Sequence, residues 1–174
     1  MNRTLDQNMF TLSNILSLVR APLAFLFLSS NTTLRLTAII LAMFTDSIDG
    51  YIARRSKSAS RLGAILDPAM DKFFVFFVLF ILLRENRMET WQAAAMVSRD
   101  FFLLIFASYL LATRTLKNYE YKSIRWGKAS TALQFITLIG ICLNIAIPSS
   151  IYLIFVLLGS LAFVELFVRL KSSN

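Results

Sequence analysis

Long apolar stretches alternate with short polar ones along the chain. Six runs stand out, at about 12–29, 33–54, 63–83, 90–112, 129–147 and 150–169. Each has roughly the ~20 mostly apolar residues that a helix needs to cross the hydrocarbon core of a bilayer. The pattern therefore predicts an all-α chain, a six-helix transmembrane bundle. The connections are too short to fold alone, and no linker-like Gly/Ser or Pro-rich segment or internal repeat interrupts them. Residues 1–174 read as one membrane domain. The first run has no clear small-residue cleavage site and five further runs follow it, so it is expected to be a retained helix rather than a signal peptide.

Composition agrees. The 174 residues are 57% hydrophobic and include 16 Phe, with a mean hydropathy of +0.65, well above the apolar share of an ordinary soluble domain. The net charge of +8 does not form a stripe suited to nucleic acid, and no nucleic-acid partner is expected. The cations follow topology instead. Arg3, the loop with Arg54, Arg55, Lys57 and Arg61, the loop from Arg114 to Lys128, and the tail with Arg169 and Lys171 fall on one side, against Arg35, Arg84 and Arg87 on the other. By the positive-inside rule both termini are cytoplasmic. Arg20, Lys72 and Arg99 lie within the runs, where a charge is costly and marks a functional candidate. Cys142 is the sole cysteine and histidine is absent, so a metal site would need hard oxygen ligands, which suit Mg²⁺ or Mn²⁺.

Such ligands are present in "DSIDGYIARRSKSASRLGAILDPAMD". Asp46 and Asp49 are spaced i, i+3 and Asp67 and Asp71 i, i+4, so each pair shares one helical face. On antiparallel neighbours joined by a short loop, the four sit at one depth near the cytoplasmic helix ends. Gathered carboxylates repel unless a cation neutralises them, which points to one or two divalent ions. A single acid near a helix end is often only solvated; four in this pattern, beside Gly50, Gly63 and Arg54, describe a diphosphate site. Glycine admits a bulky anion close to the backbone, and arginine can grip a phosphate bidentately.

This stretch resembles the signature of the CDP-alcohol phosphatidyltransferases. Asp46, Asp49, Gly50, Ala53, Arg54, Gly63, Asp67 and Asp71 occupy its eight fixed positions, and the length and six-run pattern are similar to the family too. The resemblance implies that the four aspartates bind Mg²⁺ or Mn²⁺ bridging the diphosphate of a CDP-linked lipid, and that Asp71 also accepts a proton. It implies that Asn14, Gly50, Arg54, Ser60 and Gly63 hold the CDP moiety of CDP-diacylglycerol. It further implies a homodimer in the membrane, of the kind found in the bacterial inner membrane, with the site on the cytoplasmic side. An aspartate has an ordinary pKa of ~3.9, so Asp71 would be an effective base only toward a hydroxyl already polarised by metal.

Arg99 and Lys128 resemble family positions that bind the acceptor alcohol. Two cations suit an acceptor with its own phosphate, and Gly127, Lys128, Thr131 and Gln134 are similar to the phosphatidylglycerophosphate-forming members, whose acceptor is glycerol 3-phosphate. Those members carry a second arginine two turns beyond Arg99, where this chain has Ala107. "SRDFFLL" resembles the cardiolipin-forming members, whose acceptor is phosphatidylglycerol. A reading of another class is a divalent-cation transporter, but its acids would be expected near the midplane. Intramembrane prenyltransferases share aspartate pairs and Mg²⁺ but lack the Asp-Gly and Ala-Arg core.

Overall fold

The computed structural model describes residues 12–56, 61–112 and 125–173. Its elements are α1 (Leu12–Phe25), a 3₁₀ turn (Leu26–Leu28), α2 (Thr32–Ser56), α3 (Arg61–Arg84), α4 (Thr90–Ala112), α5 (Arg125–Cys142) and α6 (Ser149–Ser173). The described residues contain no strand, and the six helices follow the six apolar runs.

Where the helices stop has local causes. Pro22 lies inside α1, where it cannot donate a backbone hydrogen bond, and within four residues the coil tightens to the 3₁₀ turn. Asn31 caps α2 through a 2.9 Å bond from the Thr33 N–H to its side-chain oxygen. The fifth apolar run reaches 147, yet α5 ends at Cys142. Asn144 takes a left-handed φ of 57°; its N–H bonds the Ile141 carbonyl at 3.1 Å and that of Ile145 the Gly140 carbonyl at 2.9 Å. This is the double closure of a Schellman end. The apolar remainder folds back: a Cβ on Gly140 would lie 2.7 Å from Ile147 Cδ1. Asn86, with φ 55°, ends α3 in the same way, with bonds of 3.0 Å from Asn86 to Leu83 and from Arg87 to Leu82.

The helices form two compact units, residues 1–87 and 88–174. In the first, α1 packs against both α2 and α3 around buried Ala24, Phe27, Ile39, Phe74, Val78 and Leu82, with Phe27 edge-on to Phe74 at 6.3 Å. In the second, α6 packs chiefly on α4 and also on α5, burying Met96, Phe106, Leu138, Phe155, Ala162 and Leu166. The outer faces are apolar as well: Phe80 and Phe101, for example, are 60% and 65% exposed. Among the described residues one helix is long and apolar enough to cross a membrane, Ser149–Val168 in α6. Shorter apolar stretches run from α1 through the 3₁₀ turn (Ser17–Leu28) and along α5 (Ala129–Cys142), while α2, α3 and α4 carry charged side chains along their length.

Arg35 is more than a topological charge. It is 1% exposed and donates through Nη1 to Glu85 Oε2 at 2.6 Å and through Nη2 to Oε1 at 2.5 Å. Its remaining donors reach the Ser29 carbonyl at 2.7 Å and the Phe27 carbonyl at 2.9 Å. One guanidinium thus closes the turn after α1 and ties α2 to the end of α3. The hydrogen bonds from Arg35 hold the Glu85 carboxyl below its ordinary value of 4.5, against a smaller opposing effect of burial.

Because the folded-state pKa is the lower one, this stabilisation is complete above pH 4.5 and is lost as pH falls through the folded value. Replacing Glu85 with Gln should cost about 1.5–3 kcal/mol at neutral pH, the worth of a charge-assisted hydrogen bond. The gap in melting temperature between wild type and variant, followed from pH 7 downward, should close below pH 4.5; a gap that is constant with pH would exclude the ion pair as its source.

Candidate active site

Arg20 points from α1 toward the first and last aspartates of the quartet. Its side chain is 2% exposed. Nη1 contacts Asp71 Oδ1 on α3, Nη2 lies 3.7 Å from Asp46 Oδ1 on α2, and Nε donates to Thr45 Oγ1 at 3.3 Å. The Thr45 hydroxyl in turn donates to the Ala42 carbonyl at 2.9 Å, which fixes the oxygen that the guanidinium meets. Arg20, a functional candidate because it lies within an apolar run, thus meets the aspartates.

The helical backbone gives the aspartates their expected spacing. Asp46 and Asp49 lie on α2, and Asp67 and Asp71 on α3. The carboxylates of Asp46 and Asp71 are 37% and 40% exposed, so they border an accessible region while sharing a buried cation. Such a pair, from two helices and turned to one positive charge, suits a divalent ion: hard oxygen donors already converge where positive charge is needed. Among the described residues no group of three metal-ligating side chains converges; the side chains of Asp49 and Asp67 lie outside those described. So do the side chains of Asn14, Gly50, Arg54, Gly63 and Lys128, and the whole of Ser60. Gly50 and Gly63 fall within α2 and α3, and no described glycine has a positive φ. Their value at this place would be the missing side chain rather than a special backbone.

The second unit holds Arg99. Its Nη1 donates to Thr131 Oγ1 of α5 at 2.7 Å, and its Nε lies 3.7 Å from Asp100 Oδ1. One helical turn along α5, Gln134 Nε2 donates to the Met96 carbonyl at 3.4 Å. Two polar residues of the "GKASTALQ" stretch therefore meet α4 around Arg99.

The sequence profile of the CDP-alcohol phosphatidyltransferases matches residues 7–166. The chain belongs to that family. A cardiolipin synthase (CMP-forming)/mitochondrial hydrolase fusion protein of Schizosaccharomyces pombe is 34% identical over 153 residues, which is 78% of this chain and 26% of that protein. A CDP-diacylglycerol–glycerol-3-phosphate 3-phosphatidyltransferase of Sodalis glossinidius is 32% identical over 104 residues, 58% of this chain and 55% of the relative. A human cardiolipin synthase (CMP-forming) is 32% identical over 118 residues, 65% of this chain and 39% of its own length. The matched region thus spans from about a quarter to just over half of these relatives.

Gly159 brings α6 up against Arg99. A Cβ on Gly159 would lie 3.1 Å from both Cα and N of Arg99 and 3.0 Å from Phe102 Cδ2, so α6 meets the backbone of α4 at the arginine itself. Sequence reasoning missed Gly159; the only signal was a glycine inside an apolar run. Overpacking of this kind costs about 1–3 kcal/mol. Gly159→Ala should lower the melting temperature accordingly, which thermal unfolding of the purified protein followed by circular dichroism would check.

Proposed function

We propose that this chain is an integral membrane phosphatidyltransferase of phospholipid biosynthesis, a single domain with both termini and its active site in the cytoplasm. The observation that carries the proposal is the convergence of Asp46 and Asp71, from α2 and α3, on one point beside Arg20, together with the family's full aspartate signature. The apolar outer faces of the helices suit lipid, and interior charges that meet one another are the arrangement a bilayer tolerates. The donor is CDP-diacylglycerol, held by Asn14, Gly50, Arg54, Ser60 and Gly63. Asp46, Asp49, Asp67 and Asp71 hold Mg²⁺ or Mn²⁺, which when bound supplies charge neutralisation to the diphosphate.

In the reaction the acceptor hydroxyl oxygen forms a bond to the lipid-side phosphorus. The bond from that phosphorus to the oxygen of CMP breaks, CMP leaves with the electron pair, and Asp71 takes the hydroxyl proton. Arg54 steadies the diphosphate through its planar fork, and alignment supplies much of the rate. Our first choice of acceptor is glycerol 3-phosphate, with Arg99 and Lys128 gripping its phosphate and phosphatidylglycerophosphate as product. A second reading, phosphatidylglycerol as acceptor, is favoured by Asp100. This acid lies 3.7 Å from Arg99 and offsets part of its charge, which suits a monoanionic diester better than a dianion. The cardiolipin synthase similarity over 78% of the chain points the same way.

Purified protein incubated with CDP-diacylglycerol, Mg²⁺ and a panel of alcohols should release CMP with a single preferred acceptor. Asp46→Asn, Asp49→Asn and Asp67→Asn should each reduce kcat by about 100-fold or more, since the charge stabilisation from a bound metal is worth several kcal/mol. Substantial activity in any two would remove the metal-site argument.

Arg99→Gln and Lys128→Gln should each raise KM for glycerol 3-phosphate about tenfold, the equivalent of 1.4 kcal/mol, with little change for CDP-lipid. A wild type that forms cardiolipin and ignores glycerol 3-phosphate would select the second reading.

A further inference from the structure

A guanidinium that is 2% exposed is always charged and has no water with which to share that charge. Arg20 resolves this with carboxylates from two helices, Asp71 on α3 and Asp46 on α2, while Thr45, itself bonded to Ala42, takes its third donor. The carboxylates in question are the first and last of the metal-binding set. Building on that reading of the four aspartates, we propose that Arg20 is an internal counter-cation. It holds Asp46 and Asp71 together before a divalent ion binds and shares their charge with the ion afterwards.

Two alternative roles fit less well. A residue that grips the substrate phosphate would need its donors turned to an accessible region, whereas the Arg20 side chain is 2% exposed and, among the described residues, its donors meet Asp46, Asp71 and the Thr45 hydroxyl. A residue that only packs would not need its fork divided between two helices. As a counter-cation Arg20 is a positioning residue: it orients the Asp71 oxygens without touching the reacting atoms.

The consequence is a linkage. Without Arg20 the two carboxylates confront one another with less positive charge, the metal-free fold weakens, and a divalent ion relieves more repulsion than it does in wild type. By reciprocity the ion must then bind more tightly.

The test uses the purified full chain in detergent, with Mn²⁺ alone as probe and free Mn²⁺ followed by electron paramagnetic resonance. Arg20→Gln should bind Mn²⁺ at least about threefold more tightly than wild type, a fraction of the effect of one charge-assisted hydrogen bond. Its melting temperature should fall in chelator and recover in saturating Mn²⁺ by more than the wild type gains. Its kcat should drop about tenfold or more, with KM for CDP-diacylglycerol unchanged. Arg20→Lys keeps the charge without the fork, so its Mn²⁺ affinity should stay at the wild-type value while kcat falls, and this variant carries the test if Arg20→Gln does not fold.

Equal or weaker Mn²⁺ binding by Arg20→Gln, with the same loss of melting temperature in chelator and in Mn²⁺, would overturn the proposal and leave a packing role. A raised KM for CDP-diacylglycerol in either variant would overturn it in favour of substrate contact. In both cases the four-aspartate site would stand, because wild type would still bind Mn²⁺. A wild type that binds no Mn²⁺ would remove both.

Discussion

The first helical unit depends on a simple constraint: a charge placed among apolar helices must meet its opposite there. Leaving one buried ion without its partner typically costs about 3–5 kcal/mol, comparable to much of a small domain's net stability. Arg20 and Arg35, at 2% and 1% exposure, are the two largest fully buried side chains among the described residues. Each is satisfied only when several segments arrive together. Apolar packing brings α1, α2 and α3 near one another without regard to direction; the two guanidiniums give that packing an orientation.

Much of the fold was legible in the sequence because hydrophobic runs and helices are bounded by the same residues. The six runs became six helices, and the Asp46–Asp49 and Asp67–Asp71 spacings lie on helical backbone as expected. The runs were misleading where an apolar segment is not helical. Ile145 and Ile147 read as the end of a span, but the left-handed Asn144 turns the chain and Ile147 closes over Gly140. An asparagine at a helix end is only a weak local signal, and nothing in residue order says which side of it the next apolar side chain will cover.

The candidate site was legible in part for a related reason. The acids share one short stretch, whereas their counter-charge comes from Arg20, 26 and 51 residues away from Asp46 and Asp71 by number. Contacts at such separations leave no periodic trace. The same holds for Arg35 and Glu85, fifty residues apart; in the sequence Arg35 read only as a topological charge. Thr131 and Gln134 were noticed by resemblance, and the structure gives them physical work, one receiving the Arg99 guanidinium and the other bonding the backbone one turn before it.

The two buried arginines also set a gauge along α2. Arg35 faces Glu85 just past the end of α3, and eleven residues later Asp46 faces Arg20 of α1. That interval is about three turns, roughly 16 Å of helix. One residue added or removed between them would rotate Asp46 by about 100° relative to Arg35, so both ion pairs could not form in the same straight helix. The intervening side chains can change in size with the packing around them, but their number is fixed. α2 therefore behaves as a measured strut, whose length between two charges decides where the first aspartate of the signature comes to rest.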